Sequence, residues 1–148
     1  MKNCNSVKIA SILLFFGLSL PVFSQNKEIP LWDKIPGAIE ASDYKQEPRV
    51  DAQGNITGIR KVTEPTLKIF LADNKTSKNA AVIICPGGGY ALLSHEKEGD
   101  KVAAWFQSIG ISAFVLKYRL PSDIIMKDKT IGPLQDAQEA IRTLRRRA

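Results

Sequence analysis

The sequence has few of the residues that cross-link a fold or hold a metal ion. It contains two cysteines, Cys4 and Cys85, and a single histidine, His95. Cys4 precedes an apolar segment typical of a removable secretory signal, so no intramolecular disulfide is expected after processing and the fold must depend on its core. No cluster of histidine and cysteine indicates a metal site. We therefore predict neither a metal nor another cofactor.

The sequence also lacks an apolar run of the roughly 20 residues that a membrane-spanning helix needs. The run at residues 9–20 follows Lys2 and Lys8 and is interrupted before Gln25 by a proline. A basic start, a short apolar core and small residues ahead of a cleavage point are typical of a secretory signal. We predict a signal peptide over residues 1–24, a secreted or periplasmic protein, and no stable membrane insertion after signal removal.

Basic residues exceed acidic ones, and the formal net charge is +6. Four arginines cluster near the C-terminal end of the sequence, but no aromatic residues are interleaved with them as in the stacking surfaces of nucleic-acid-binding proteins. Arginines at the end of a predicted helix complement its negative C-terminal dipole. We therefore predict no nucleic-acid partner.

Residues 25–55 contain three prolines and no sustained hydrophobic period, so we expect them to form a strap, anchored to the rest of the chain by Trp32. Residues 56–148 alternate apolar runs of strand length with helical patterns. The predicted strands lie at residues 56–62, 66–72, 80–85 and 111–118, and the predicted helices at residues 95–109 and from Gly132 onward.

Strand, glycine loop, helix, strand and helix in this order form a parallel unit of an α/β sheet. The first two predicted strands would add an antiparallel edge. We expect the strand at residues 80–85 or the one at 111–118 to keep an unpaired edge. Asp136 lies near the positive end of the last helix. The apolar stripe of that helix consists of Leu134, Ala137, Ile141 and Leu144. We expect Leu134, Ile141 and Leu144 to lack part of their packing.

The stretch ICPGGGY, residues 84–90, requires an explanation because consecutive glycines are entropically costly. A dinucleotide-binding loop is disfavoured because Leu92 occupies the third glycine position of that fingerprint. A tight turn alone would need only two glycines. An oxyanion hole explains all three, because backbone N–H groups that stabilise a developing negative charge must be open to the substrate.

The chain resembles the bacterial secreted acetyl xylan esterase-like α/β-hydrolases, which are related to hormone-sensitive-lipase-like esterases. The resemblance covers residues 29–148 and depends on LWDKIPGA, PGGGY followed by Glu98-Gly99, KYRLP and PLQDAQEAIR in this order. It implies an α/β fold: the N-terminal part of an α/β-hydrolase, with a mostly parallel sheet, an antiparallel N-terminal edge and truncation before the nucleophile strand.

The resemblance also implies roles for residues of the glycine loop. Gly88 and Gly89 would provide the oxyanion-hole N–H groups. Gly87 and Tyr90 would contact substrate, with Tyr90 bordering the acyl pocket. Tyr118 and Arg119 match a Tyr-Arg pair that we interpret as structural, closing hydrogen bonds around the loop.

The sequence departs from the family because it contains no G-x-S-x-G nucleophile elbow. Ser94 and His95 are sequence neighbours, which disfavours an aligned nucleophile–base pair. We interpret His95 as a solvated residue of a first helical turn and Cys85 as an inert core thiol.

The most economical hypothesis is that the chain is part of a secreted serine carboxylic ester hydrolase that deacetylates plant-wall polysaccharide such as xylan. Its partner would be an acylated carbohydrate or another small ester, and the chain alone would be inactive. The alternative is a non-catalytic carbohydrate-binding or interaction domain derived from the same fold.

Overall fold

A computed structural model describes residues 27–73, 75 and 77–147. The predicted signal peptide, its cleavage before Gln25 and Cys4 lie outside these residues. The strands are β1 (Glu28–Pro30), β2 (Glu47–Val50), β3 (Ile56–Arg60), β4 (Thr66–Phe70), β5 (Ala81–Ile84) and β6 (Ser112–Lys117). The helices are a π-helical segment (His95–Asp100) that continues into α1 (Lys101–Ser108), and α2 (Gly132–Arg145).

The main sheet has four strands in the order β1–β4–β6–β5. Strands β1 and β4, and likewise β4 and β6, pair antiparallel, whereas β5 and β6 pair parallel. The antiparallel N-terminal edge and the parallel β5–β6 unit are confirmed. The sheet is mixed, because parallel pairing in the described part of the chain is confined to β5 and β6.

Two parts of the predicted organisation are corrected by the pairing. Strand β3 does not join the edge of the main sheet; it pairs with β2 in a separate two-stranded antiparallel sheet. The strap is partly regular, since β1 and β2 lie within it. Strands of three and four residues are too short to show an alternating hydrophobic pattern. Their pairing determines their conformation, and this pairing is long-range for β1 with β4 but a local hairpin for β2 with β3.

The prediction that Trp32 anchors the strap is confirmed. Its Nε1 donates a hydrogen bond to Oδ1 of Asp136 in α2 at 2.8 Å. The indole also packs against a core cluster that joins β1, β4, β6 and α2. The buried members of this cluster are Ile29, Leu31, Leu67, Leu116 and Ala140.

Helices α1 and α2 cover opposite faces of the main sheet. Leu116 of β6 packs on the side of α2, whereas Val115 and Ala113 pack with Ala103 of α1. This division follows from the alternation of side chains along a strand. Both predicted helices are confirmed, and Gly110, which follows α1, has a positive φ of 83°, as glycine at a helix C-terminus commonly does.

The side of the molecule formed by β5 and the outer face of α2 is open. Among the described residues, no strand pairs with the second edge of β5. Leu134 and Ile141 of α2 are 57% and 44% exposed, which confirms that the predicted apolar stripe is incompletely packed. No helix in the described part of the chain has the length and hydropathy needed to span a membrane.

Candidate functional site

The glycine loop begins directly after β5 and adopts a backbone conformation that excludes side chains. Gly88 has φ 141° and Gly89 has φ 60°, values that side chains rarely adopt. A Cβ atom on Gly88 would lie 2.0 Å from the carbonyl oxygen of Leu92. A Cβ atom on Gly89 would meet no described atom within 4 Å. Gly88 is therefore required by close packing, whereas Gly89 borders open space.

The carbonyl oxygens of Gly87 and Gly88 accept hydrogen bonds from the chain that follows. The carbonyl of Gly87 accepts from the N–H of Ser94 at 2.8 Å. The carbonyl of Gly88 accepts from the N–H groups of Ala91 at 3.1 Å and Leu92 at 3.4 Å. These contacts fix the orientation of two successive peptide planes.

The N–H groups of Gly88 and Gly89 belong to those same two planes. The peptide bonds are trans, so each N–H projects opposite to the carbonyl that is held by the loop. Neither N–H has an acceptor among the described residues. The loop thus holds its carbonyl groups inward and presents two consecutive backbone donors, an arrangement able to stabilise a negatively charged oxygen.

A groove of about 480 Å³ lies between the glycine loop and the N-terminal end of α2. Its walls include Cys85, Tyr90, Tyr118 and Leu134. The rings of Tyr90 and Tyr118 meet edge to face with centroids 6.3 Å apart. The groove therefore combines aromatic and aliphatic walls, and two of its lining residues, Cys85 and Tyr90, flank the three glycines.

Tyr90 occupies an unusual position in this groove. Its side chain is 59% exposed, and its φ of 59° lies in the left-handed region that residues other than glycine seldom adopt. Strained residues of this kind cluster at functional sites. The structure thus places Tyr90 at the groove, as the resemblance implies, while its contact with substrate stays a prediction.

The two residues of the Tyr-Arg pair have different partners. The hydroxyl of Tyr118 donates to the carbonyl of Pro86 at 2.7 Å, which confirms that it closes a hydrogen bond around the loop. Burial is the main cause that raises the pKa of Tyr118, and the nearby Tyr90, Cys85 and Glu98 raise it further. The phenol therefore remains a neutral donor at physiological pH.

Arg119 does not contact the glycine loop, which corrects that part of the interpretation. Its guanidinium donates to Asp136 through Nε at 2.9 Å and Nη2 at 2.8 Å, and both side chains are buried. Nη1 also donates to the carbonyl of Pro36 in the strap at 3.0 Å. Asp136 is thus an internal anchor between β6, α2 and the strap, a role that its position near a helix start did not indicate.

Cys85 is exposed at the groove and is not a core residue, because it lies just beyond the end of β5 at the open side of the sheet. Partial desolvation by the groove walls raises the pKa of its thiol. The thiol is therefore protonated at neutral pH, which supports the predicted chemical inertness although the predicted core location was wrong.

His95 is not solvated, in contrast to the prediction. Its side chain is 13% exposed, and its Nε2 lies 3.7 Å from Oδ1 of Asp100. Its Nδ1 is buried and has no hydrogen-bond partner in the described part of the chain. Burial lowers the pKa of His95 even though Asp100 acts in the opposite direction. The π-helical segment turns this side chain against the charged residues of the sheet.

The structure does not bring Ser94 and His95 together as a nucleophile and base. Within residues 27–147 as far as they are described, no hydrogen bond joins their side chains. The same residues contain no group of three or more His, Cys, Asp or Glu side chains that could hold a metal. The sequence analysis did not identify Glu98 as a residue that contacts the glycine loop, although the Glu98-Gly99 pair is among the residues on which the resemblance depends.

Comparison with known proteins gives two similar curated sequences, while no family model matches the chain. The acetylxylan esterase of Xylanibacter ruminicola is 38% identical over 76 residues, which are 51% of this chain and 14% of that protein. The endo-1,4-beta-xylanase B of Butyrivibrio fibrisolvens is 36% identical over 86 residues, which are 57% of this chain and 13% of that protein.

A solved structure is similar over most of the described fold. It is the acetyl ester-xyloside bifunctional hydrolase from Caldicellulosiruptor lactoaceticus, with a TM-score of 0.52 and 31% sequence identity. The match covers 85% of this chain and 38% of that protein. The chain therefore spans well under half the length of each of these relatives.

Proposed function

Because the chain is a relative of the acetyl xylan esterase-like α/β-hydrolases and has the N-terminal part of their fold, we propose that it provides the oxyanion-stabilising part of a carboxylic ester hydrolase. The observation that carries this proposal is the pair of unbonded N–H groups at Gly88 and Gly89. When a nucleophile attacks an ester carbonyl, the carbonyl oxygen becomes negatively charged, and these two donors would stabilise it.

The proposed substrate is an acetylated xylan or a fragment of it. The names of all three relatives refer to xylan or to a xyloside, and two refer to an acetyl ester. The groove beside the glycine loop supports this choice, because Tyr90 offers an exposed aromatic face to a sugar ring and the open space at Gly89 admits a carbonyl group.

The nucleophile, acid and base of the reaction would come from further residues of a longer protein, and the present chain alone would be inactive. The open edge of β5 and the exposed Leu134 and Ile141 support this part of the proposal. A further strand and helix of the same domain would cover them. The proposed signal peptide over residues 1–24 would direct the protein to the cell exterior or periplasm, where polymeric xylan is accessible.

Replacement of the loop glycines in the complete protein tests the oxyanion role. Gly88→Val forces a side chain against the carbonyl of Leu92 and should lower kcat at least ~100-fold, the scale for loss of one oxyanion donor. Gly89→Ala adds a methyl group that meets no atom of the structure. The positive φ strains an alanine, as it does at Gly54, but the fold should persist while kcat falls about tenfold or more.

Gly54→Ala is the matched control, because Gly54 also has a positive φ and open surroundings but lies in a distant turn. Hydrolysis of p-nitrophenyl acetate and of acetylated xylan measures activity, and circular dichroism verifies folding. Activity of Gly89→Ala equal to that of Gly54→Ala would overturn the oxyanion assignment.

The exposed Tyr90 also favours the alternative of a non-catalytic carbohydrate-binding domain. The two functions differ in their expected results with the complete protein. An ester hydrolase releases acetate from acetylated xylo-oligosaccharides, whereas a binding domain retains them unchanged and gives a calorimetric binding signal. Release of acetate excludes the alternative, and binding without release excludes the hydrolase.

A further inference from the structure

The peptide group between Pro86 and Gly87, directly before the two free donors, is held at both ends by side chains. Its carbonyl oxygen accepts a hydrogen bond from the hydroxyl of Tyr118 at 2.7 Å. Its N–H donates to Oε2 of Glu98 at 2.8 Å. The two side chains come from different elements, one beyond the end of β6 and the other from the π-helical segment.

The contact between Gly87 and Glu98 is close enough to restrict the backbone itself. A Cβ atom on Gly87 would lie 2.7 Å from Oε2 of Glu98, so a side chain at position 87 would displace this carboxylate from its present position. Glycine at position 87 therefore leaves room for the contact between the carboxylate and the N–H.

The π-helical segment fixes Glu98 relative to the sheet. Gly99 packs against Pro86 and Val115, and a Cβ atom there would lie 2.9 Å from Cγ1 of Val115. Asp100 is paired with Lys68 of β4 at 2.7 Å. Short π-helical stretches occur frequently at functional sites, and here the stretch places a carboxylate at the start of the glycine loop.

From this geometry we infer that Glu98 is a positioning residue of the oxyanion site, acting together with Tyr118. By clamping the 86–87 peptide, the two side chains set the orientation of the next two peptide planes, whose N–H groups belong to Gly88 and Gly89. The inference deepens the proposed function and depends on it for its catalytic consequence. Glu98 itself does not touch substrate.

A set of substitutions in the complete protein separates this role from general stabilisation. Glu98→Ala removes the acceptor and frees the Gly87 N–H, so kcat should fall between about 10-fold and 100-fold, the scale for displaced catalytic groups. KM should stay within about threefold, because the walls of the groove are unchanged. Glu98→Gln keeps an oxygen acceptor and should restore kcat to within about fivefold of the wild type.

Glu96→Ala is the matched control. Glu96 lies in the same π-helical segment, but its carboxylate pairs with Lys101 at 2.8 Å and has no recorded contact with the loop. Its kcat should equal that of the wild type. If Glu98→Ala retained wild-type kcat, or if Glu98→Gln lost as much as Glu98→Ala, the positioning role would be overturned.

Hydrogen exchange distinguishes a failure of this inference from a failure of the proposed function. Amide exchange of the peptide that contains residues 85–92 should be faster in Glu98→Ala than in Glu98→Gln or Glu96→Ala. A wild-type protein that hydrolyses no acetyl ester would overturn the proposed function, and the exchange rates would then decide alone whether Glu98 orders the loop. Equal exchange in all three variants would overturn that ordering.

Discussion

Strands β5 and β6 consist of similar residues but have different surroundings. AAVIIC is an uninterrupted apolar run and ISAFVLKY is a largely apolar one, and such runs suit strands covered on both faces. Strand β6 lies between β4 and β5, and its Ala113, Val115 and Leu116 are fully buried. No residue of β5 is fully buried.

The difference shows that neighbours rather than hydrophobicity determine burial here. Strand β6 has a hydrogen-bonded strand on each side and helices on both faces, so its side chains are enclosed. Strand β5 has one neighbouring strand in the described part of the chain, and no strand there pairs with its second edge. An open apolar edge favours addition of another strand, which is the basis for expecting a larger domain.

The largest effect is expected from breaking the buried ion pair between Arg119 and Asp136. Arg119→Ala leaves the buried carboxylate of Asp136 without its guanidinium partner and should lower the free energy of unfolding by about 3–5 kcal/mol. Urea denaturation of the full protein measures the loss. Lys129→Ala, which removes an exposed ion pair with Asp123, should change it by less than about 1 kcal/mol. Equal losses in the two variants would show that the pair is not a structural anchor.

Paired truncations on the same face of the sheet compare the two strands directly. Leu116 of β6 is fully buried, whereas Ile83 of β5 is half-buried, and both pack with the cluster beneath α2. Leu116→Ala should lower the free energy of unfolding by about 2–5 kcal/mol. The loss caused by Ile83→Ala should be smaller than this loss by at least about 1 kcal/mol. A loss at Ile83 as large as that at Leu116 would mean that β5 is covered.

Acidification should lower the stability of the fold through His95. Because the pKa of His95 is lowered in the fold, the neutral imidazole is favoured, and this stability is present above the ordinary pKa of 6.5. The stability is lost as pH falls below that value toward the lowered pKa. The charged groups that influence the imidazole are those of Asp100, Lys68, Glu28 and Lys117.

Melting temperatures at pH 7.5 and 5.5 measure this effect. His95→Gln replaces the titrating imidazole with a neutral side chain and should show a smaller decrease in melting temperature than the wild type. Glu28 titrates below this pH window. Burial acts to raise its pKa, but hydrogen bonding to Thr66 and the charge of Lys117 together outweigh this effect and lower the pKa from 4.5. An equal decrease in both proteins would assign the pH dependence to other groups.

The smallest effect in the present chain is expected at the open face of α2. Leu134→Gln and Ile141→Gln change exposed side chains and should alter the free energy of unfolding by no more than about 0.5 kcal/mol. In a longer protein that covers this face, the same substitutions should cost about 1.5 kcal/mol or more each. Equal small effects in both proteins would indicate that nothing packs there.

Much of the local structure could be predicted from particular residues. Pro133 in the first turn marks the start of α2, Gly110 follows the end of α1, and the apolar runs locate β5 and β6. The partner of β1 could not be predicted, because this short strand is defined by pairing with β4, far along the chain. Strand β2 pairs with the next strand, β3, but its four residues carry no hydrophobic pattern that marks them as a strand.

The candidate site was predictable only in part for a similar reason. Three consecutive glycines indicated that something approaches the backbone closely, and the resemblance implied which N–H groups would be used. The sequence did not indicate that Glu98 binds the N–H of Gly87, or that Ser94 holds the carbonyl of Gly87. These contacts depend on how the π-helical segment folds back onto the loop.

What the sequence by itself determined is local, because the steric limits of glycine and proline and the spacing of apolar residues act within a few positions of the chain. Tertiary structure alone decided which of these residues are enclosed. Asp136 and His95 became buried although their residue types favour water, whereas Leu134 and Ile141 stayed exposed although theirs do not. Burial depends on the elements that pack around a side chain, and those elements come from distant parts of the sequence.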